Sequence, residues 1–381
     1  MRFIFFYVLI LVVLSLAGTY IYFRTRPLLP SSGIWQIISR IVFVLTLISF
    51  IIGFILQSRG YYLLSTPFTI IGSWALAAIL YFVLFFLVID ILRLINLPLK
   101  LDFLSFKYTV EDSKGKLYSM IVSILTALIL IIGYFNAKFP ITKNLKYQTN
   151  KEIQKNFKYI LVSDVHLGMI NGDNFFERLK NKINAENPDF VVIAGDFFDG
   201  DPYPVIHSKA GEILEQIKTG CGIYVITGNH EYIGNADTAS EFLKQHGVVV
   251  LRDSIAHLPF GVSIVGREDL SKNRISPRKP LKDLLQQVPN GNYSIVLDHQ
   301  PPRHYEEEQN LGIDIELSGH THAGAQLWPL FLITKKIYEN DFGEITKNGS
   351  IFYTTSGYGT WGPPIRTSAR PEMVVIEVTR K

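Results

Sequence analysis

The sequence predicts two structural parts, which are an α-helical transmembrane unit of four spans and an α/β domain in which two packed β-sheets are flanked by helices. Long apolar runs are confined to residues 1–140, residues 141–155 read as a linker, and residues 156–381 alternate short apolar runs with turns. Net charge changes at the same boundary, because residues 1–138 carry 11 Lys and Arg against 4 Asp and Glu, whereas the remainder carries 26 against 29. A basic, apolar half followed by one of mixed charge is typical of a membrane unit joined to a globular domain.

Four apolar runs are each close to the roughly 20 residues that an α-helix needs to cross a 30 Å hydrocarbon layer. Helices are expected because a helix satisfies its own backbone hydrogen bonds in lipid. A cleaved signal peptide is the alternative for the first run, but that run is long for one and no small-residue cleavage site follows it. The runs cover residues 3–23, 37–57, 68–89 and 117–135.

Positive charge is unevenly distributed over the loops between these spans. The first and third loops, with their flanks, carry eight Lys and Arg, whereas the second loop carries only Arg59. Because positively charged loops stay on the cytoplasmic side, both termini and the C-terminal domain are predicted to lie outside the cytoplasm. Lys138, Lys143 and Lys146 follow the fourth span and favour the opposite orientation.

Composition also excludes several classes of function for the C-terminal half. It shows no basic stripe of the kind that neutralises a nucleic-acid backbone, so no nucleic-acid partner is expected. A single cysteine, Cys221, can build neither a disulfide framework nor a thiolate zinc site.

Short apolar segments in this half predict strands, and amphipathic stretches over residues 173–187, 208–218 and 236–247 predict helices. The early order of strand, helix and strand favours a largely parallel sheet, and the later part is richer in strands. The strand segments are "KYILVSD", "DFVVIAGD", "GIYVITGN", "VSIVGRE", "YSIVLDH", "IDIELSGH", "SIFYTTSG" and "EMVVIEV".

Polar motifs follow five of these strands at equivalent places, where loops can carry ligands on a rigid base. Each motif alone reads as readily as a turn or a helix cap, but five in equivalent positions favour a common site. The motifs are "SDVHLG" with Asp164 and His166, "GDFFDGD" with Asp196 and Asp199, "GNHE" with Asn229 and His230, "DHQP" with Asp298 and His299, and "GHTHAGAQ" with His320 and His322.

Imidazole nitrogen and carboxylate oxygen suit Mn, Zn or Fe. These motifs offer seven ligands, too many for one tetrahedral ion, and they divide into four for each of two ions if one aspartate bridges. Two ions about 4 Å apart clamp a phosphoryl group and generate a metal-bridging hydroxide as nucleophile. His230, next to Asn229, is placed to protonate the leaving group. The seven candidate ligands are Asp164, His166, Asp196, Asn229, His299, His320 and His322.

The order of these motifs over residues 156–381 resembles the calcineurin-like metallophosphoesterase superfamily. Membrane spans ahead of such a domain, and the ending "SGYGTWGPPIRTSARPEMVVIEV", are similar to its bacterial membrane-linked branch around YkuE and YkoQ. The resemblance implies a four-layer metallophosphoesterase β-sandwich flanked by helices.

The same resemblance implies a role for each site residue. His230 would be the general acid, oriented by Asp199, and Arg366 is a candidate phosphate contact. "HAGAQ" places one extra residue, Ala325, before Gln326, so the loop after the ligands is expected to be reshaped. The first ion would be held by Asp164, His166, Asp196 and His322, and the second by the bridging Asp196 with Asn229, His299 and His320.

The predicted function is that of a membrane-anchored dinuclear phosphoesterase with its active site outside the cytoplasm. Proximity to the bilayer suggests a phospholipid or polyprenyl phosphate as substrate. A membrane transporter or sensor with a regulatory metal-binding domain is the alternative, because four helices exceed what anchoring needs. Turnover of a phosphodiester by the metal-loaded protein distinguishes the two.

Overall fold

A computed structural model describes the backbone of residues 2–381 and the side chains of residues 11–273 and 275–381. The chain divides into two compact units, one formed by residues up to 134 with residues 362–364, and the other by residues 135–361 and 365–381. The first unit is helical, with helices α1 (Arg2–Thr25), α2 (Gly33–Ser58), α3 (Tyr62–Leu99) and α4 (Ser113–Lys138).

Three of these helices, α2, α3 and α4, are long and apolar enough to cross a membrane. The first predicted span, residues 3–23, falls partly on residues whose side chains lie outside the described ones. Helix α3 extends well beyond the predicted span, because its 38 residues measure about 57 Å at 1.5 Å per residue. Three candidate spans are therefore found in the described part of the chain, where four were predicted.

Helices α2 and α3 pack closely because small residues line their contact. A Cβ added at Gly72 of α3 would collide with the backbone of Phe50 in α2, and one added at Gly53 of α2 would collide with Thr69 in α3. Close approach through small residues is how helices associate in lipid, where burying apolar surface gives no net gain.

Asp90, near the end of α3, joins three parts of the helical unit. It accepts hydrogen bonds from the Tyr20 hydroxyl at 2.7 Å, from Arg24 Nη2 at 2.7 Å and from Arg93 Nη1 at 3.3 Å. Arg93 Nη2 in turn donates to the carbonyl of Phe106. Asp90 and Arg93, three positions apart on α3, are thus members of one larger polar cluster.

The second unit is built on two six-stranded sheets. Sheet 1 has the order β1–β12–β2–β3–β4–β5 and sheet 2 the order β10–β11–β9–β8–β7–β6. The strands are β1 (Ile141–Thr149), β2 (Phe157–Val162), β3 (Phe190–Ala194), β4 (Ile223–Ile226), β5 (Val249–Leu251), β6 (Ser254–Leu258), β7 (Val262–Gly266), β8 (Tyr293–Leu297), β9 (Ile315–Ser318), β10 (Gly343–Lys347), β11 (Ser350–Thr354) and β12 (Glu372–Arg380).

Eight helices accompany these strands in the described chain, most of them short. They are α5 (Asp173–Glu186), α6 (Tyr203–Ile206), α7 (Ala210–Glu215), α8 (Asn229–Ile233), α9 (Ala236–Gln245), α10 (Leu281–Leu285), α11 (His322–Ala325) and α12 (Phe331–Ile337).

Side chains alternate between the two faces of each central strand, and this alternation separates three apolar layers. Between the sheets, Tyr159 and Val192 of sheet 1 meet Ile264 and Ile295 of sheet 2. The outer face of sheet 1 packs on α5, α7 and α9. The outer face of sheet 2 is covered by α10 and by a segment that contains Tyr305. The result is a β-sandwich with helices outside it.

The segment over residues 141–155, expected to be a linker, instead contains strand β1. Strand β1 pairs in parallel with β12 over nine residues. It is an edge strand in which half-buried and exposed residues alternate, and Lys143 and Lys146 interrupt its apolar pattern. Edge strands often carry lysine because charge there discourages pairing with other chains, and this makes them resemble loops in sequence.

The strands that carry the polar motifs run in parallel. Strands β2, β3 and β4 are parallel neighbours in sheet 1, and β8 and β9 are parallel neighbours in sheet 2. The carboxyl ends of each set therefore lie at one edge of its sheet, where loops form clefts.

Replacement of Gly72 by leucine tests the close packing of α2 and α3. We expect Gly72→Leu to lower the midpoint of thermal unfolding in detergent, because overpacking typically costs about 1–3 kcal/mol. The measurement is the monodisperse fraction on size-exclusion chromatography after heating. Ile71→Phe adds bulk at an exposed neighbour on the same helix and serves as control. Equal midpoints for Gly72→Leu and the wild type would contradict the packing described here.

Candidate metal centre

All nine residues singled out from the sequence as ligands or catalytic groups lie together at the carboxyl ends of these strands. Those after β2 and β3 are Asp164, His166, Asp196 and Asp199, those after β4 are Asn229 and His230, and those after β8 and β9 are His299, His320 and His322. Groups of three such side chains have ligand atoms within 4.8 Å of one another.

Asp196 occupies the centre of this cluster. Its Oδ2 lies 3.1 Å from His299 Nε2 and 3.8 Å from His166 Nε2, and its Oδ1 accepts the backbone N–H of His230 at 2.8 Å. The burial of Asp196 raises its pKa, but the neighbouring His299, His230 and His166 outweigh that effect and lower it. One carboxylate thus faces imidazoles on two sides.

One group of donor atoms lies on the first side of Asp196. The Nε2 atoms of His166 and His322 are 3.0 Å apart, and Asp164 Oδ1 lies 3.4 Å from His322 Nε2 and 3.9 Å from His166 Nε2. All three side chains are buried. Ligand atoms about 2.0–2.2 Å from one ion are roughly 3.0–3.5 Å apart, so this spacing suits a shared cation.

A second group lies on the other side of Asp196. His299 Nδ1 donates to the carbonyl of Ala194 at 2.8 Å, which directs Nε2 toward Asp196 and toward Asn229 Oδ1, 3.2 Å away. His320 Nδ1 is 2.7 Å from the same amide oxygen. A backbone carbonyl on the distal nitrogen is a common way to orient a histidine that ligates a metal.

Asp199 connects one of these histidines to His230. Its Oδ1 lies 3.5 Å from His166 Nδ1 and 3.3 Å from His230 Nδ1. Burial raises the pKa of Asp199, but His166 and His230 outweigh it and lower that pKa to about 2. Burial lowers the pKa of His230, but the hydrogen bond that its ring donates to Asp199 and the charge of Asp196 raise it to about 9. His230 is therefore held in its protonated form beside a fixed carboxylate.

The charge balance of the cluster also suits cations. Within the described part of the chain, every ion pair of Asp164, Asp196 and Asp199 is made with a histidine. Burial lowers the pKa of His299, but Asp196 raises it well above its usual value, so a proton supplies positive charge there. Metal binding releases such protons, because the ligating imidazole nitrogen must be free. The residues present therefore fit divalent cations.

His320 and His322 already have the neutral form that ligation requires. Burial, with a smaller contribution from His299, lowers the pKa of His320 to about 4. Burial, followed by the charge of Arg366, holds the pKa of His322 well below its usual value.

The backbone of the site is unusual. Five of its nine non-glycine residues have φ between 48° and 69°, in the left-handed region, namely Asp164, His166, Asp196, His320 and His322. Such conformations cost about 1–3 kcal/mol each and cluster where function requires them. Glycines make room for the turns, since a Cβ at Gly228 would collide with the Asp196 carboxylate.

Glu231 is a site residue that the sequence argument quoted within "GNHE" but gave no role. Its buried carboxylate accepts the backbone N–H groups of Gly228, Asp196 and Phe198 at 2.6, 3.2 and 3.0 Å. It therefore fixes the loop after β3 against the loop after β4. The signal was the Glu at the third position of α8, which is typical of a capping box.

Arg366, the candidate phosphate contact, lies elsewhere than expected. It is fully buried, and its guanidinium donates to the carbonyls of His322 and Gly359 and, at 2.8 Å, to His322 Nδ1. With its donors used within the protein, Arg366 supports the His322 loop and does not face a substrate.

Asp298, named with His299 in one motif, is also turned away from the cluster of donors. Arg267 Nη1 and Arg278 Nη1 donate to its two carboxylate oxygens at 2.7 and 2.9 Å. These pairs fix the strand end that presents His299. Arg267 therefore has a structural role, because its guanidinium is paired with Asp298.

Comparison with known proteins agrees with this geometry. Residues 157–324 match the family model described as calcineurin-like phosphoesterase. An uncharacterised metallophosphoesterase of Aquifex aeolicus is 30% identical over 227 residues, which are 59% of this chain and 85% of that protein. YkoQ of Bacillus subtilis, also named an uncharacterised metallophosphoesterase, is 25% identical over 277 residues, covering 66% of this chain and 97% of YkoQ.

A relative from Danio rerio carries the name transmembrane protein with metallophosphoesterase domain. It is 30% identical over 276 residues, which cover 68% of this chain and 62% of that protein. The resemblance inferred from the five motifs is confirmed, and the chain belongs to the calcineurin-like metallophosphoesterase family as a metal-dependent phosphoric ester hydrolase.

Proposed function

We propose that the chain is a membrane-anchored dinuclear phosphoesterase in which Asp196 bridges two divalent ions. The observation that carries this proposal is the convergence of six donors, in two groups of three, on either side of the Asp196 carboxylate. Asp164, His166 and His322 would hold one ion with Asp196. Asn229, His299 and His320 would hold the other.

Mn, Zn and Fe all suit these nitrogen and oxygen donors. When bound, two such ions would clamp the oxygens of a phosphoryl group and supply a hydroxide nucleophile at neutral pH. The remaining steps belong to the protein. His299 is oriented by the carbonyl of Ala194 and His322 is held by Arg366, so these donors are fixed before any substrate arrives.

His230 is the proposed general acid. It directly follows Asn229, its ring lies 4.5 Å from that of His166, and its Nδ1 faces Asp199. Asp199 would orient the ring and leave Nε2 to deliver a proton to the departing oxygen. The same carboxylate lies beside His166 Nδ1, so it positions one ligand and the acid together.

Anchoring is the second part of the proposal. Helices α2, α3 and α4 are candidate spans, and α1 would complete the four-span unit of residues 1–140. The positive first and third loops favour a catalytic domain, residues 156–381 with β1 added, outside the cytoplasm. A tether of this kind brings lipid-linked phosphoesters, such as a phospholipid or a polyprenyl phosphate, within reach of the site.

Metal dependence tests the catalytic part. We expect the purified full-length protein to hydrolyse bis-p-nitrophenyl phosphate with Mn²⁺ and to bind about two metal ions per chain by elemental analysis. Chelation should remove activity and metal together, and Mn²⁺ should restore both. Absence of turnover at every pH with both ions bound would contradict the enzyme and favour a regulatory metal domain.

Replacement of His230 tests its role. We expect His230→Ala to lower kcat by about 10²–10⁴-fold, the usual contribution of a general acid, and to leave metal content near that of the wild type. His207→Ala, at an exposed position after α6, is the matched control and should change neither quantity. Loss of metal together with activity would make His230 a ligand or a structural residue.

Reporter fusions test the orientation. Alkaline phosphatase fused after Lys381 should be active and green fluorescent protein fused there should be dark, because the charged loops place this end outside the cytoplasm. Fusions after Lys107, in the loop between α3 and α4, should give the reverse pattern and serve as control. A fluorescent fusion after Lys381 would place the site in the cytoplasm.

A further inference from the structure

An apolar surface borders the candidate metal centre, and we name it the apolar rim. It consists of Trp328, Leu332, Ile333 and Trp361, whose exposed fractions are 46%, 55%, 56% and 46%. Isolated exposed apolar residues are ordinary, but several on two hydrogen-bonded loops that also carry site residues indicate a binding surface. Leu332 and Ile333 lie in the first turn of α12, four and five positions after Trp328.

The rim is continuous with the catalytic site through Trp361. The ring centre of Trp361 lies 6.0 Å from that of His230, the proposed donor to the leaving group. Gln326 binds the backbone of Trp361 in both directions, since its Nε2 donates to the carbonyl at 2.7 Å and its Oε1 accepts the N–H at 3.3 Å. The indole is therefore held at the edge of the reaction centre.

Helix α12 is fixed to the loop that carries His320 and His322. Thr334 Oγ1 donates to Asp341 Oδ2, and Thr321, which lies between the two histidines, donates to the Asp341 carbonyl. A Cβ on Gly324 would collide with Phe331 at the start of α12. The extra residue in "HAGAQ" thus belongs to a loop that joins the candidate ligands His320 and His322 to helix α12, which carries Leu332 and Ile333.

The backbone also joins Trp328 to the segment after Trp361. The N–H of Trp328 donates to Thr367 Oγ1 at 2.9 Å, and the N–H of Thr367 donates to the carbonyl of Gln326 at 3.0 Å. Both tryptophans are therefore carried by one hydrogen-bonded pair of loops. A rigid aromatic surface is a favourable binding element because it loses little conformational entropy on contact.

We propose that the apolar rim binds the hydrocarbon part of an amphiphilic phosphoester whose phosphate lies at the metal centre. This inference rests on the proposed function and adds the place where a lipid chain is recognised. A highly polar centre next to an apolar surface is complementary to a molecule with one charged and one apolar end. The proximity of the Trp361 ring to that of His230 would place the apolar end on the side of the leaving group.

A series of n-alkyl phosphates tests the proposal with the full-length protein in amphipol. Methyl, butyl and octyl phosphate are used below their critical micelle concentrations as inhibitors of bis-p-nitrophenyl phosphate hydrolysis. We expect Ki to fall about twofold for each methylene between butyl and octyl phosphate. Complete burial of a methylene would lower Ki about fourfold, and the smaller effect is expected because the rim covers only one side of the alkyl chain.

The double variant Leu332→Ser/Ile333→Ser should flatten this dependence to less than about threefold between butyl and octyl phosphate. Its metal content by elemental analysis and its Ki for methyl phosphate, which has no hydrocarbon chain to reach the rim, should equal those of the wild type and show that the metal centre is intact. Val249→Ser removes an exposed apolar side chain on the edge strand β5 and should retain the full dependence.

Two results would overturn the proposal. One is a Ki that does not change with alkyl chain length in the wild type. The other is a dependence of Ki on chain length that is the same in the wild type and the double variant, because this would assign the effect to partition of the alkyl chain into amphipol. If bis-p-nitrophenyl phosphate is not hydrolysed at all, the proposed function fails separately. The rim is then judged by calorimetry, in which octyl phosphate must bind the wild type more tightly than methyl phosphate does.

Discussion

The geometry of the site depends on the carboxylate of Asp196. Its Oδ2 faces imidazoles that come from opposite sheets, His166 after β2 and His299 after β8, while its Oδ1 receives the N–H of His230. A charged group at 2% exposure is costly unless it is paired on every side. The carboxyl ends of strands from both sheets must therefore lie close together. Glu231 fixes the loop that holds Asp196 in place.

Around this carboxylate the protein concentrates its strained backbone. Asp164, His166 and Asp196 turn sharply as the chain leaves β2 and β3, and His320 and His322 do so after β9. Strands β3 and β9 before these turns are wholly buried, and β2 is buried except at the half-buried Lys158, so the apolar layers on both faces of each sheet oppose relaxation of the loops. The stable packing of the sandwich therefore holds the donor atoms in positions that an isolated loop would not keep.

Sequence-based prediction succeeded for the core strands of the two sheets and failed for their edge strands. The eight strands predicted from apolar runs are present, and all eight have a neighbouring strand on both sides within their sheet. The four strands without such a signal, β1, β5, β6 and β10, are the edges of the two sheets. An edge strand buries one face only and carries polar residues on the other, so its sequence resembles a loop.

The candidate site was predictable for a related reason. Each donor directly follows a core strand, so locating the strand located the donor, as for Asn229 after β4. Residues that support the donors but lie far from them in the sequence could not be located by a neighbouring strand. Arg366 reaches His322 from 44 positions away in the sequence, and a buried arginine that supports a ligand has the same local sequence as one that binds phosphate. Only the direction of its guanidinium distinguishes the two roles.

The position of β12 in sheet 1 has a consequence for synthesis of the protein. This strand lies between β1 and β2, and its residue Val375 pairs with Ile160, more than 200 positions earlier. Until β12 has emerged from the ribosome, β2 has an open edge, and the segment with Gly359 and Arg366 cannot yet brace His322. Long-range closure of this kind is slow. The cluster of candidate metal ligands is therefore among the last parts of the domain to assemble, after translation of nearly the whole chain.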